Sequence, residues 1–565
     1  FGNLVGDDIY NATNYGNRVI LNKSLFKYIY DIILGWWNEI GRFNFTTTIH
    51  TQIFYNFFKT PTNIKIAHFL IHISTCFSFV FLIFKLSNKN FIISILALLL
   101  VSIFFQYRSW HDPFIMFPTI YHFLLIYLFL GIIFFVKFLE DRKKKYFFLS
   151  LFFYFLVCGV SEIGILLSPV FLIIEFIFSK KIKSSLILFS VSIILLMIMI
   201  YTKIEGSFFT SGYPGGQLSL DIKKNVLASL IQLTSAFPGS YSLNNSKIFI
   251  FSDFVYLIIF VSIFFTITKL FDKEIYSSNL NTIFFLGLIL LIVPSILGFS
   301  AKYSKELVNK GFGFGYLPVL IQNIGLCMIF LYLIVFYLKK TKNILVNFTI
   351  ILLIGIISTI NIASNRAVIL KTGPITKIHR ENLAKSLEHG LLKDVNNFSN
   401  IFFAQKYLYW PRPHFISNHS DKIIFAHNTN RANFYGLTYK NGFLGDARFH
   451  KKKQKSASRR FHLTAIKMHK LENYYYFSND INKIQLTYDL IKERDYNLEF
   501  REEDNKNVYL IYNLSNFISN HVILAKVEKV SLNKFNEVES ALTKNLTIYS
   551  EKKKKIFKFY LKNYV

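Results

Sequence analysis

Two neighbouring carboxylates near the start of the sequence could act as a base. Asp7 and Asp8 follow Gly6, and a carboxylate that faces an acceptor hydroxyl can take up its proton during a group transfer. Adjacent side chains of an extended chain point to opposite sides, so only one of the pair would face the acceptor, and we slightly favour Asp8. The same pair could instead cap a helix or lie in water, and spacing alone does not decide between these roles.

Later in the same polar segment, aromatic residues and a cation stand together. Trp36 and Trp37 come first, and Gly41-Arg42-Phe43 follows. The planar guanidinium of Arg42 suits a bidentate contact with a phosphate or a carboxylate. Trp36 would lie beside it as an aromatic substrate contact. A surface salt bridge that holds the loop is the alternative role for Arg42.

A short loop between two apolar stretches, Tyr107–Pro113, concentrates further polar residues. Arg108 and His111 could bind a phosphate or a sugar hydroxyl, and the ring of Trp110 could stack on a sugar. Tryptophan also favours the membrane interface without any ligand, so a purely anchoring role stays open.

Three further candidates lie in later turns. Glu162 stands at the edge of apolar stretches, where an ionisable group is costly unless it is paired or used. It could hold a sugar hydroxyl or pair with Arg42 or Arg108, and a solvated turn is the alternative. Lys302 and Lys305 would suit a lipid phosphate, although a plain basic loop explains them as well.

The histidines and cysteines do not predict a metal centre. His68 and His72 have the i, i+4 spacing of a metal-binding pair, but no third ligand is evident. Two histidines that are satisfied by their neighbours are therefore favoured. The three cysteines all lie in apolar stretches, which leaves no thiol metal site in the soluble parts. We predict neither a resident metal nor another cofactor, and a divalent-metal requirement stays open.

The composition shows what must position these residues. Hydrophobic residues make up 52% of the chain and charged residues 17%, below the quarter that is usual in soluble domains. Most apolar residues come in blocks near the length of about twenty residues that crosses a bilayer. The sequence therefore predicts a polytopic α-helical membrane protein with ten transmembrane helices, and one more is expected before Phe1. The blocks are 64–84, 91–106, 114–136, 146–158, 163–178, 185–201, 250–271, 280–299, 315–338 and 343–362.

Basic residues in the short loops predict the orientation of these helices. Every second loop carries Lys or Arg and would be cytoplasmic. The opposite side would hold the opening segment, the loops 107–113, 159–162, 202–249 and 300–314, and everything from residue 363. The loop 300–314 breaks the pattern, because it also carries lysines.

The net charge of +31 does not predict a nucleic-acid partner. The excess is mostly Lys and accompanies many Asn, Ile, Phe and Tyr residues, a mixture that AT-rich codon usage alone produces. Part of the charge also lies in the short loops, where it sets orientation. Nucleic-acid binding is therefore not expected, and membrane lipids are the expected surroundings.

Two domains are predicted, a membrane domain over 1–362, whose first outer loop covers 1–63, and a C-terminal domain over 363–565. In the membrane domain, Leu220–Phe237 has the pattern of an amphipathic helix on the bilayer surface. In the C-terminal domain, helical spacing at 378–398 and several β-rich runs predict a mixed α/β fold. The runs are Lys422–Ala426, Val508–Tyr512 and His521–Val527.

The motifs of the opening segment resemble those of a known enzyme class. The order Gly6-Asp7-Asp8, Trp36-Trp37 and Gly41-Arg42-Phe43 is similar to the first outer loop of GT-C polytopic glycosyltransferases, including the bacterial O-antigen glucosyltransferase type. The resemblance covers roughly residues 1–362 and rests on short motifs. It implies a multi-pass enzyme of the bacterial cytoplasmic membrane that takes a sugar from a polyprenyl-phosphate donor. The acceptor would be a glycan, lipid or protein on the outer face, and Glu162 would line the cavity.

Three other functions stay open from the sequence. A polymerase or ligase of surface polysaccharide would also be polytopic and use lipid-linked glycans. A transporter is disfavoured, because most charged residues lie in loops and not at mid-span, where transport sites usually lie. Glu175 and Asp253 lie inside apolar blocks, but near their ends. A non-catalytic scaffold would be excluded only by activity data.

Overall fold

The structure is a computed structural model of the chain, and it describes most of the helices and a set of strands. The described residues are 11, 14–15, 18, 22–40, 44–58, 61–104, 106–108, 112–114, 117, 119–209, 219–269, 280–340 and 343–388, together with the strands bounded below. Contacts between residues divide the chain into two units, one containing Ser24–Gly373 and the other containing Pro374–Val565.

Helices build the unit Ser24–Gly373. The first two described helices belong to the opening segment, and most of the later ones coincide with the apolar blocks. Their bounds are α1 Leu25–Ile40, α2 Phe45–Phe57, α3 Pro61–Leu86, α4 Phe91–Ile103, α5 Tyr121–Asp141, α6 Lys144–Cys158, α7 Glu162–Leu166, α8 Pro169–Ser179, α9 Lys183–Phe209, α10 Ile222–Thr234, α11 Phe251–Lys269, α12 Leu280–Ile292, α13 Ala301–Lys310, α14 Val319–Lys340 and α15 Ile344–Glu388. The 3-10 segments Ser242–Asn244 and Val293–Phe299 lie between them.

The prediction of a polytopic helical membrane protein is confirmed. Within the part of the chain that the structure describes, 8 stretches are long and apolar enough to cross a membrane. They are Thr62–Leu86, Tyr121–Asp141, Glu162–Ser179, Lys183–Tyr201, Phe251–Lys269, Leu280–Phe299, Val319–Tyr337 and Ile344–Leu370.

Two of the ten predicted spans form helices that are too short to cross a bilayer alone. Helix α4 has 13 residues and α6 has 15, so at about 1.5 Å per residue they are about 20 Å and 22 Å long. The hydrocarbon core is about 30 Å thick. The block 91–106 is shortened because the chain leaves the helix after Ile103, where side chains of other helices bond its backbone. The block 146–158 ends at the turn that begins with Gly159, as predicted.

Glycines allow the closest contacts between helices. Gly287 on α12 and Gly325 on α14 approach each other so closely that a Cβ on either would lie 2.6–2.7 Å from the carbonyl oxygen of the other. A Cβ on Gly159 would overlap Thr46 and Phe45 of α2. Small residues at such points let backbones pack directly against one another inside a membrane.

Side-chain caps define where some of the helices begin. The carboxylate of Asp221 accepts a hydrogen bond of 3.0 Å from the backbone of Lys224, so α10 begins at Ile222. This helix was predicted over 220–237, and its existence is confirmed. The loop 300–314 contains helix α13, which the sequence did not predict.

In the second unit the structure describes the end of α15 and the backbone of eleven strands. The predicted boundary at 362/363 falls inside α15. One sheet has the order β11-β10-β8-β7-β6-β1-β4-β5, with β9 beside β7, and β2 pairs with β3. β1 is parallel to β4 and β6, and β6 is parallel to β7. The strands are β1 Asn400–Ala404, β2 Phe415–His419, β3 Lys422–Ala426, β4 Phe434–Thr438, β5 Phe443–Leu444, β6 Asn473–Ser478, β7 Asn507–Asn513, β8 Ile523–Lys526, β9 Val530–Ser531, β10 Leu546–Ser550 and β11 Lys555–Phe559.

Candidate functional site

Half of the candidate residues lie in the part of the chain that the structure describes. Those placed in the unit Ser24–Gly373 are Trp36, Arg108, Glu162, Lys302 and Lys305. Those outside the described residues are Asp7, Asp8, Arg42, Trp110 and His111.

Arg108 is the most deeply buried candidate, with 0% of its surface exposed. Its Nη2 donates a hydrogen bond of 2.9 Å to the carbonyl of Ser235, and its guanidinium carbon lies 5.6 Å from the centre of the Tyr241 ring. Burial lowers the pKa of Arg108, and Asp112 and Tyr241 oppose this shift. Nε of Arg108 has no hydrogen-bond partner among the described residues. A buried cation with a donor to spare is chemically suited to hold an anion.

Asp112 fixes the backbone of the Arg108 loop. It is completely buried, and its two carboxylate oxygens accept hydrogen bonds of 2.5 Å from the backbone of Arg108 and 2.7 Å from that of Phe114. These two bonds fix the backbone on both sides of the loop and thereby orient the side chain of Arg108.

Gln106 ties the same loop to the segment that follows α10. Its amide nitrogen donates a hydrogen bond of 3.1 Å to the carbonyl of Phe237. Its amide oxygen accepts one of 3.3 Å from the backbone of Tyr241. One glutamine side chain, directly before the predicted outer loop 107–113, thus bonds the backbone of the predicted outer loop 202–249.

Asparagines of α14 and α15 bond the backbone around the end of α4. Each replaces an intrahelical hydrogen bond that the chain gives up where α4 ends. The pairs are Asn361 Nδ2 with the Ile103 carbonyl at 2.5 Å, Asn323 Nδ2 with the Phe104 carbonyl at 3.3 Å, and the Tyr107 amide with Asn365 Oδ1 at 2.7 Å.

Two buried glutamines extend this pattern toward α13. Gln232 Nε2 donates to Gln322 Oε1 at 2.8 Å, and Gln232 Oε1 accepts from the backbone of Tyr316 at 2.7 Å. The Tyr316 ring lies 4.4 Å from that of Tyr303 on α13. The amide cluster is defined here as Gln106, Gln232, Gln322, Asn323, Asn361 and Asn365.

Helix α13 carries the candidate cations and packs on α10, the helix that contributes Gln232 to the amide cluster. Lys305 is exposed, and Lys302 is half-buried with its Nζ 5.3 Å from the centre of the Tyr303 ring. Burial raises the pKa of Glu306, and Lys302 and Lys310 oppose this shift. The exposed part of the helix therefore offers positive charge, and its one carboxylate is partly withdrawn from solvent.

Glu162 is joined to the opening segment. It is half-buried and begins α7, directly after the turn that contains Gly159 and Val160. The backbone of Thr46 donates a hydrogen bond of 3.0 Å to the Gly159 carbonyl, and the Thr47 hydroxyl donates one of 2.7 Å to the Val160 carbonyl. The start of α2, just after the Arg42 motif, is therefore held at the Glu162 turn.

Trp36 lies on α1 and is half-buried. This helix packs against α2 and α9. Trp36 is thus carried by a helix that contacts the same α2 that reaches Glu162.

The structure links the described candidates through shared neighbours. Arg108 bonds the residue that follows α10, and α10 packs against both α13 and the 3-10 segment 293–299. Helix α7, which begins with Glu162, packs against that same 3-10 segment. Arg108, Glu162 and the two lysines therefore belong to one connected region of the membrane unit.

The amide cluster was not predicted from the sequence. A signal for it was present, because Gln322 and Asn323 interrupt the apolar run of α14, and Asn361 interrupts that of α15. Polar side chains inside a span are costly unless they are bonded. The same rule would have found His122 near the start of α5.

No metal centre is found in the part of the chain that the structure describes, where no three His, Cys, Asp or Glu side chains are grouped to hold an ion. His68 Nε2 lies 3.5 Å from the hydroxyl of Tyr55. His72 Nδ1 lies 3.0 Å from Nε2 of His122. The two histidines of the i, i+4 pair therefore have different partners.

Comparisons with protein-family models and with curated proteins identify no relative of this chain. No protein-family model matches the sequence, and no curated protein matches it. A function for this protein has to follow from its own side chains.

Proposed function

We propose that the protein is a membrane glycosyltransferase. It takes a sugar from a polyprenyl-phosphate-linked donor and transfers it to a glycan, lipid or protein acceptor at the outer face of the bacterial cytoplasmic membrane. Asp8, or its neighbour Asp7, removes the proton of the acceptor hydroxyl. The lipid phosphate leaves without strong acid help, so one carboxylate is sufficient.

The observation that carries the proposal is the connection between the opening segment and the cationic loops. Thr46 and Thr47 bond the turn beside Glu162, and α7 packs on the segment that precedes α13. Arg108 bonds the end of α10, which packs on α13 as well. This arrangement supports a site in which a base from the opening segment works beside cations suited to a phosphate.

The candidate side chains divide by chemistry into two groups. Cations hold the donor phosphate through charge-assisted hydrogen bonds, and aromatic rings and remaining polar groups hold the sugars. The proposed phosphate ligands are Arg42, Arg108, Lys302 and Lys305. The proposed sugar contacts are Trp36, Trp110, His111 and Glu162.

The base is tested by replacing each carboxylate with its amide. Asp8→Asn keeps the shape of the side chain and removes the proton acceptor, so transfer should fall roughly 10²-fold or more. The assay is sugar transfer from a polyprenyl-phosphate donor by purified protein, with Asp7→Asn and the double variant alongside. Asp221→Asn, at an exposed helix cap, is the matched control and should keep its rate. Wild-type rates in both single variants and in the double variant would refute the mechanism.

Two intramembrane carboxylates have structural partners, which disfavours a transporter. Glu175 accepts hydrogen bonds from the backbone of Ser184 and of Ser185 at the start of α9. Asp253 forms a two-point ion pair with Arg366. A polymerase or ligase of polysaccharide would use the same donor chemistry, and the length of the products in the transfer assay separates it from a single-sugar transferase.

We also propose that residues 363–565 form a mixed α/β domain outside the cytoplasm. The test uses a variant in which the native cysteines at 76, 158 and 327 are replaced by alanine. A cysteine introduced at Ser456 should react with an impermeant thiol reagent in intact cells. A cysteine introduced at Lys143, in a predicted cytoplasmic loop, should not. The reverse labelling pattern would overturn the orientation.

A further inference from the structure

A row of basic side chains lies along one face of α3. Lys65, His68 and His72 have the i, i+3, i+7 spacing that places side chains on one face of a helix. Lys65 and His68 are 9% and 5% exposed, and His72 is half-buried. Buried ionisable groups in a span are costly and are functional candidates for that reason.

The row ends in a close contact between two imidazoles. His72 Nδ1 lies 3.0 Å from Nε2 of His122 on α5. The His122 ring is completely buried, and its Nδ1 has no hydrogen-bond partner among the described residues. Nδ1 of this buried ring is therefore available to bond a group from outside the described residues.

The proton arrangement decides what that group is. In a neutral pair, one imidazole donates through its N–H and the other accepts. If His122 accepts from His72, its Nδ1 carries a hydrogen and needs an acceptor. If the pair takes up one further proton and keeps its internal hydrogen bond, three of the four ring nitrogens carry a hydrogen, and Nδ1 of His122 is one of them. An oxygen acceptor at Nδ1 is thus compatible with the neutral and with the protonated pair.

A basic side chain in the row favours an anion over a metal cation. Lys65 lies on the same face of α3 as His68 and His72, and an ammonium group attracts an anion and repels a metal cation. The remaining titratable groups on the elements that surround the pair are His50 and Tyr55 on α2, Cys76 and Lys85 on α3, Tyr121, Tyr127, Lys137, Glu140 and Asp141 on α5, and Tyr107, Arg108 and Asp112 in the preceding loop.

We propose that Lys65, His68, His72 and His122 form a binding site for a phosphate-class anion, with His122 Nδ1 donating to one of its oxygens. The half-buried edge of His72 is the side from which the anion enters. The site does not depend on the proposed sugar transfer, because it requires only the anion.

The experiment measures thermal unfolding of the full chain in nanodiscs of neutral lipid, with inorganic phosphate as the probe and chloride of equal ionic strength as the reference. At neutral pH a phosphate concentration ten times the dissociation constant should raise the unfolding temperature by about 1–2 °C. His72→Gln and His122→Gln should lose the shift. Lys65→Gln, at the end of the row, should reduce the phosphate shift. It keeps the test valid if one of the histidine variants fails to fold.

His50→Gln is the matched control, because His50 is a half-buried histidine, as His72 is, and its Nε2 bonds Tyr127 and not the pair. It should keep the full phosphate shift. An equal shift in wild type and in all variants, or no shift in wild type, would overturn the site. Displacement of radiolabelled phosphate by a short polyprenyl phosphate, but not by phosphatidylglycerol, would identify the carrier lipid as the source of the anion. Displacement by neither would support a water-soluble source. Because no transfer is measured, a failed glycosyltransferase assay leaves this result unchanged.

Discussion

The two ends of the membrane unit are held together in different ways. At the end with the basic short loops, Lys85 and Glu140 form an ion pair of 2.5 Å whose side chains are 18% and 42% exposed. At the other end, Arg366 and Asp253 form a pair of 2.7 Å whose carboxylate is only 3% exposed. The amide cluster lies at this second end as well and bonds the backbone of several loops.

The difference follows from the loops that each end must close. Short turns leave few backbone groups unpaired, and solvent can satisfy them. Long loops that fold back into the unit bury their backbone polar groups, and each one then needs a partner within the protein. The second end therefore has a fixed polar interior, which is the kind of surroundings that holds substrate groups in a defined geometry.

The largest effect is expected at the buried guanidinium of the polar end. Arg108→Met keeps the length of the side chain and leaves the Ser235 carbonyl without its charged donor. The free energy of unfolding should fall by about 3 kcal/mol, measured by denaturant titration in mild detergent. Lys181→Met, at an exposed position of the basic end, should change it little. Equal losses in both variants would remove the contrast between the two ends.

The two ion pairs provide the next comparison. Asp253→Asn should lower the free energy of unfolding by about 2 kcal/mol, because it breaks a two-point bond that is largely shielded from solvent. Glu140→Gln should cost below about 1 kcal/mol, as for other exposed pairs. Both variants are measured at low and at high salt. If the loss of unfolding free energy caused by Asp253→Asn depended more strongly on salt than the loss caused by Glu140→Gln, the assignment of Asp253 to a buried pair would be contradicted.

A smaller effect is expected within the amide cluster. Gln232→Leu and Gln322→Leu each remove one side of a buried hydrogen bond of 2.8 Å. In a double-mutant cycle, the coupling energy should be about 1 kcal/mol. Additive losses would show that the two glutamines act separately through their backbone contacts.

The smallest effect near neutral pH is expected from His50. Burial lowers the pKa of His50 to about 4 from its ordinary value of 6.5. Between about pH 4 and pH 6.5, His50 is therefore protonated in the unfolded chain and neutral in the folded chain. Stability from this residue is therefore complete above about pH 6.5 and is lost as the pH falls toward about 4. His50→Gln should flatten the fall in unfolding temperature between pH 7 and pH 5. An unchanged slope would show that His50 is protonated in the folded protein.

Local properties of the sequence account for most of the membrane unit. Length and hydropathy are properties of a continuous stretch, so 8 spans could be predicted from them. The end of α4 could not, because Asn323 and Asn361 bond it from the far side of the sequence. Helix α13 was missed because its apolar residues, such as Tyr303 and Leu307, are few and face α10 and the 3-10 segment.

The candidate site divides in the same way. Arg108 was singled out because a cation stands in a short loop between apolar blocks, and the structure places it in a buried setting. Its partner, the Ser235 carbonyl, carries no signal in the sequence, because every residue has a carbonyl and only the fold selects one. The His72–His122 contact was missed because the i, i+4 spacing directed attention to His68, whereas the actual partner lies 50 residues away.

The wide sequence separation of the Arg108 contact has a consequence for the order of synthesis. Ser235 follows Arg108 by 127 residues, and Asn361 follows Ile103 by 258. A ribosome adds roughly 5–20 residues per second, so Ser235 is synthesised on the order of ten seconds after Arg108. The interval between Ile103 and Asn361 is longer. During that time α4 is too short to hold itself across the bilayer. Its final depth is therefore set after insertion, when the last helices of the unit arrive.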